Sequence, residues 1–133
     1  MMKKSNVFAL AIALMVLAAG VTAYAHHSFT ATYLEHKTMK IEGKVVQFLM
    51  RNPHSFIHVS APDENGKMQT WSIEGGGANQ MRDKNGVALK VGDEVIVVAN
   101  PGRSVEAHRG RLISITRPSD GWSWGNQAGQ VVD

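Results

Sequence analysis

The chain has 133 residues, 14 Lys and Arg against 11 Asp and Glu, and no cysteine. That length suits one small domain, and the missing cysteines exclude a disulfide framework, a lipoprotein anchor and a thiol nucleophile. The formal charge of +3 falls once Lys3 and Lys4 leave with a leader: 12 basic residues then face 11 acidic ones, a balance that gives no support for nucleic-acid binding.

The leader comes first. Lys3 and Lys4 make a basic start, and Val7–Ala19 is uncharged and rich in Ala, Leu and Val. Gly20 breaks the run, and "VTAYA" puts Ala23 and Ala25 at the small-residue positions of a cleavage site. This is the pattern of a secretory signal peptide. The apolar run is shorter than the ~20 residues a membrane span needs. The expectation is cleavage after Ala25 and a mature protein that starts at His26, with His27 beside it. Its address would be the periplasm, with no membrane attachment after cleavage. The divisions are then 1–25 signal peptide, 26–118 one domain, and 119–133 a Gly- and Trp-containing tail.

The domain reads as β. In "MKIEGKVVQFLM", 39–50, Ile41, Gly43 and Val45 alternate with Lys40, Glu42 and Lys44, the period-two pattern of a strand. "RNP" at 51–53 marks a turn. "HSFIHVSA", 54–61, is a second strand, and Asn65-Gly66 signals a hairpin. "MQTWSIE", 68–74, is the third, ended by "GGG" at 75–77. Ala78–Lys84 has the helix character of the mature chain, and turns flank Val87–Leu89. "EVIVVA", 94–99, is a fourth strand and "RLISITR", 111–117, a fifth. Three strands, a short helix and two strands is the chain order of an OB-like five-stranded Greek-key barrel. The expected fold is therefore mainly β, with the helix between strands 3 and 4. Its core should hold Ile41, Val45, Ile57, Val59, Trp71, Ile73, Val95, Val97, Leu112 and Ile115.

Four short pieces occur in order: "HHSF" at 26–29, "NPH" at 52–54, W-x-I-E at 71–74 and G-D-E-V-x-V at 92–97. With these the chain resembles an uncharacterised exported bacterial family, domain of unknown function 6152, over 26–118. The resemblance implies a small exported β-barrel-like domain and supplies no activity.

The chemistry must come from residues. A free N-terminal histidine offers an α-amine with a pKa near ~8 and an imidazole near ~6.5, both deprotonated at modest cost. Together they chelate one metal, and a second imidazole completes the set called a histidine brace in copper oxygenases. His27 offers a further route through the amine, its own backbone nitrogen and its ring. Nitrogen-rich sites favour Cu(II). If 54–61 is a strand, His54 and His58 share a face with Phe56 between them. Glu74 ends the third strand as a ligand, a partner that orients an imidazole, or an exposed edge carboxylate. The metal candidates are thus His26, His27, His54, His58 and Glu74; His36 and His108 lie in expected loops at the surface. Tyr33, Phe48, Phe56 and Trp71 could form an aromatic platform, though core packing explains them more simply. Trp122 and Trp124, in a polar tail, dock on the barrel or bind a partner.

No nucleophile elbow, phosphate loop or zinc signature is present. Two function classes stay open. One is a non-catalytic periplasmic protein that holds copper, or another transition metal, at its N-terminus. The other is an OB-fold interaction module for a periplasmic protein partner or small ligand, with the histidines incidental. A copper oxidase is a third, less favoured reading, because the domain is small and lacks a broad substrate face.

Overall fold

The computed structural model describes residues 1, 3–82 and 89–125, without the side chains of 17–28. The chain forms two compact units, Met1–Thr32 and Tyr33–Asp133. The first unit is helix α1, Lys4–Thr32. Ala and Leu propagate a helix at little cost. Its described large apolar side chains, from Val7 to Val16, are exposed. The helix also runs through "HHSFTAT" at 26–32. Apart from Ala31 these are weak helix formers, carried by propagation from the Ala- and Leu-rich run before them.

The second unit contains six strands: β1 (Met39–Leu49), β2 (Phe56–Pro62), β3 (Met68–Glu74), β4 (Glu94–Pro101), β5 (Arg109–Arg117) and β6 (Trp122–Gly125). Their order is β3-β2-β1-β4-β5-β6, and β3 also pairs with β5. That last pairing is parallel and closes the barrel, with Ser72, Ile73 and Glu74 opposite Arg109, Gly110 and Arg111. The other pairings are antiparallel. Strands β1–β5 thus form the expected OB-like barrel, and β6 is an addition to it.

Two long strands make closure possible. The first half of β1 pairs with β4 and the second with β2. Gly43 sits at this changeover, where a Cβ would run into the Ser60 carbonyl and the Ala61 side chain. Strand β5 pairs through Arg109–Arg111 with β3 and through Gly110–Thr116 with β4. A Cβ on Gly110 would meet Met39, Ala99 and Ile73, so the barrel closes only over a missing side chain. Alternation does the rest: Ile57, Val59 and Ala61 point inward from β2, and Phe56, His58 and Ser60 stay half-exposed. Nine of the ten expected core residues are buried, joined by Ala61, Met81, Leu89 and Ala99. Trp71 is the exception, half-buried and packed against the core from its edge.

The short helix is not where the sequence suggested. Ala78–Gln80 form a turn, held by Gln80 Oε1 accepting from the Gly77 amide at 2.9 Å and Asn52 Oδ1 accepting from the Ala78 amide at 2.9 Å. Seven residues after three glycines do not repay helix nucleation. Residues 83 and 84 of that segment, and Val87 and Ala88, lie outside the described residues. The short helix is instead a 3-10 turn, η1 (Val105–Ala107), between β4 and β5. The tail tryptophans dock: β6 pairs with β5, Trp122 and Trp124 pack against the core, and Trp124 Nε1 donates to the Gln80 carbonyl at 3.0 Å. Residues 126–133 lie outside the described residues.

Candidate functional site

A strap of five residues, Tyr33 to Lys37, leads into β1. It has no regular structure, so its backbone polar groups need partners from elsewhere. The β4 end supplies them. Tyr33 bridges to Gly102, and the Leu34 amide donates to the Pro101 carbonyl at 2.9 Å. Asn100, itself 1% exposed, donates from Nδ2 to the carbonyls of Glu35 and Lys37 at 3.2 and 2.8 Å. The strap's side chains then reach the β3–β5 seam. Arg111 donates to Glu35 Oε1 at 3.0 Å, and the Tyr33 hydroxyl donates to Glu74 Oε2.

Glu74 is the centre of the arrangement. Its side chain is 13% exposed, so of its three sequence readings the exposed edge carboxylate does not hold. Besides Tyr33, it faces Arg109 Nη2 at 3.9 Å and His54 Nδ1 at 3.8 Å. The Arg109 guanidinium also lies 5.9 Å from the centre of the Tyr33 ring, within cation–π range. Burial pushes the Tyr33 phenol well above its ordinary pKa; the bond to Glu74 and that carboxylate's charge add to the shift, and Arg109 opposes it.

His54 is not part of β2. It lies in the loop before Phe56, so strand periodicity does not align it with His58. Its Nδ1 stands 3.3 Å from the Gly75 carbonyl as well as facing Glu74. The Gly75 carbonyl and the Glu74 carboxylate are both acceptors. The proton therefore belongs on Nδ1 and the lone pair on Nε2, a tautomer assigned from the network. The loop holding it is fixed by backbone bonds: the Ser55 amide donates to the Gly76 carbonyl and the Gly75 amide to the Ser55 carbonyl, each at 2.8 Å.

The remaining candidates are placed as follows. His58 pairs with Ser72 on the outer face of β2 and β3. Among the described residues, no three His, Cys, Asp or Glu side chains are grouped to hold a metal, so the fold brings His54 and Glu74 together without His58. The side chains of His26 and His27 lie outside the described residues. His36 is exposed. His108 is half-buried, not simply a surface residue, with its ring edge-on to Trp71 at 5.1 Å. A groove of about 430 Å³ runs past Trp71 between the β2–β3 turn and η1, with Asp63, Glu64, Val105 and Arg109 along it.

Tyr33 was legible only as a core or platform aromatic, and Glu35, Arg109 and Arg111 carried no site signal in the sequence. Tyr33 meets Glu74 across 41 positions and Arg111 meets Glu35 across 76, and no local pattern encodes such separations.

A family model described as a family of unknown function (DUF6152) matches residues 13–111. The chain belongs to this family. No curated protein matches it. Among solved structures it is similar to Rim1, the mitochondrial single-stranded DNA binding protein of S. cerevisiae: 16% identical, with 60% of this chain and 91% of that chain covered and a TM-score of 0.47. In this DUF6152 chain, N-P-H ends at His54 and W-x-I-E ends at Glu74, and folding sets those two residues 3.8 Å apart.

Proposed function

We propose that the mature protein is an exported barrel module that binds a transition metal, with Cu(II) the best match, between its N-terminal histidine and His54. The observation that carries the reading is the His54 ring. Metal-bound imidazoles donate their other N–H to a carboxylate or a backbone carbonyl, and His54 Nδ1 has both beside it. The His26 amine and ring would supply the next two nitrogens, with His27 as the alternative.

Chain geometry supports the reading. Tyr33 is the first residue of the barrel unit and lies seven positions after His26. Seven residues span at most ~25 Å, a reach long enough for a mature N-terminus to approach Glu74 and His54. In the full chain His26 and His27 belong to α1, where amide nitrogens are committed to helical hydrogen bonds. Cleavage after Ala25 would leave a helical remnant of seven residues, well below the ~12–15 at which isolated helices become even marginal. Processing would thus create the amine and free the backbone together.

Cu(II) titration of three proteins tests this: the mature chain, the same chain with one added N-terminal residue, and His54→Ala. Sharp weakening in both altered proteins is expected. Equal affinity in all three leaves the interaction module, for which the groove beside Trp71 would be the place to look for a small ligand or a protein partner.

A further inference from the structure

Resting on that metal-binding reading, we propose that Tyr33 and Glu74 are positioning residues that hold His54 in the Nδ1–H tautomer and direct Nε2 to the metal, and that Glu74 is not itself a ligand. The argument counts the oxygens of one carboxylate. Oε2 accepts from the Tyr33 hydroxyl and is the oxygen nearest Arg109. Oε1 is the oxygen that faces His54 Nδ1. The Tyr33 bond fixes the plane of the carboxylate, and that plane decides where Oε1 points.

Tyr33 is well placed to do so. It is 1% exposed, its backbone is bridged to Gly102, and its ring lies under the Arg109 guanidinium. The phenol cannot swing away without the strap moving. A carboxylate bonded to Tyr33 and facing both Arg109 and an imidazole has little left to give a metal directly. Together with the Gly75 carbonyl, 3.3 Å from the same nitrogen, it gives the ring what a ligating histidine needs: acceptors opposite the coordinating nitrogen, which fix the tautomer and raise its basicity. A glutamine at 74 has a single acceptor oxygen and cannot serve Tyr33 and His54 together.

Long-range proton–nitrogen correlation NMR of the metal-free mature protein reads the His54 tautomer directly. Cu(II) titration with electron paramagnetic resonance then counts bound nitrogens. The expected result is Nδ1–H at His54 in the native protein. Tyr33→Phe and Glu74→Gln should each admit the Nε2–H form. Both should weaken Cu(II) binding by roughly 10–100-fold and lose the His54 nitrogen from the spectrum, while the barrel's amide shifts persist. A native His54 protonated on Nε2 overturns the proposal whether or not either variant folds. An unchanged tautomer in both folded variants also overturns it, and leaves metal binding standing if Cu(II) still binds. The expected tautomer behaviour in a native protein that binds no Cu(II) upholds the positioning role and overturns the metal reading.

Discussion

The bond between Tyr33 and Glu74 can be weighed by a double-mutant cycle of Tyr33→Phe and Glu74→Gln. Tyr33 is 1% exposed and the Glu74 side chain 13%, so water competes weakly for either group. A hydrogen bond to an ionised acceptor in such a place contributes about 1.5–3 kcal/mol. Once the phenol is gone, Glu74 keeps His54 and Arg109 at 3.8 and 3.9 Å. Both contacts exceed hydrogen-bond length and both partners are more than one-third exposed, so each adds about 0–1 kcal/mol. Tyr33→Phe should therefore cost about 1.5–3 kcal/mol. Glu74→Gln retains one acceptor and should cost about 1–2 kcal/mol. The double variant should fall short of their sum by about 1–2 kcal/mol, the coupling of groups in direct contact. Urea unfolding of the mature protein, followed by tryptophan fluorescence, gives all four corners. Additivity within about 0.5 kcal/mol, the behaviour of independent sites, would refute the contact as the anchor of the strap.

The barrel and its tail make further predictions. In a chain that starts at His26, as proposed, Tyr24 is absent and tyrosinate absorbance reads Tyr33 alone. Because burial and Glu74 raise the Tyr33 pKa in the fold, its stabilising contribution is complete below pH ~10 and declines as pH rises past that value, where the unfolded chain loses its phenol proton first; a tyrosinate appearing near pH 10 in folded protein contradicts this. Ile57→Ala, at a fully buried position of β2, should cost about 2–5 kcal/mol in urea unfolding, and a loss under about 1 kcal/mol would remove Ile57 from the core. Truncation after Pro118 removes Trp122, Trp124 and the pairing of β6 with β5. Two half-buried aromatic side chains are worth about 2–4 kcal/mol together, so a truncated chain of undiminished stability would mean that the tail is not part of the barrel.

Legibility in the sequence followed the range of the interactions. Period-two alternation placed β1 and β3 to within a residue at each end, and Asn65-Gly66 marked the turn between β2 and β3, because both signals are local. Order along the chain then implied the OB-like barrel. The short helix was misplaced because Ala78–Lys84 has helical composition but too few residues, while Val105–Ala107 is a single turn with no periodicity to detect. β6 was missed because "WSWG" alternates over four residues only, and its tryptophans find their partners on β5 and at Gln80. At the site, His54 and Glu74 were legible as chemistry at strand ends. Tyr33 and Arg109 were not, since they join the cluster through the strap and the β3–β5 closure, and closure is a property of the whole barrel.

That closure also explains why polar chemistry gathers here. The β3–β5 pair is parallel, and parallel strands are usually shielded on both faces, most often by a crossover helix. In this barrel an irregular strap lies over the outer side of the seam. An irregular segment cannot satisfy its own backbone, so it must be held by side chains that hydrogen-bond, and Asn100, Arg111 and Glu74 occupy outward positions that aliphatic residues could otherwise fill. A buried ion pair is often no more stable than a well-packed apolar replacement. Stability alone therefore does not call for Glu74 at the end of β3, where a leucine would also pack against Phe56, its cross-strand neighbour. What a leucine cannot do is hold the Tyr33 phenol in register and present an acceptor to His54 at the same time. Glu74→Leu separates these roles: a barrel that still folds, at the cost of the Tyr33 bond, but loses the Nδ1–H form of His54 would show that the carboxylate serves the imidazole, and an unchanged tautomer would show that it serves only the strap.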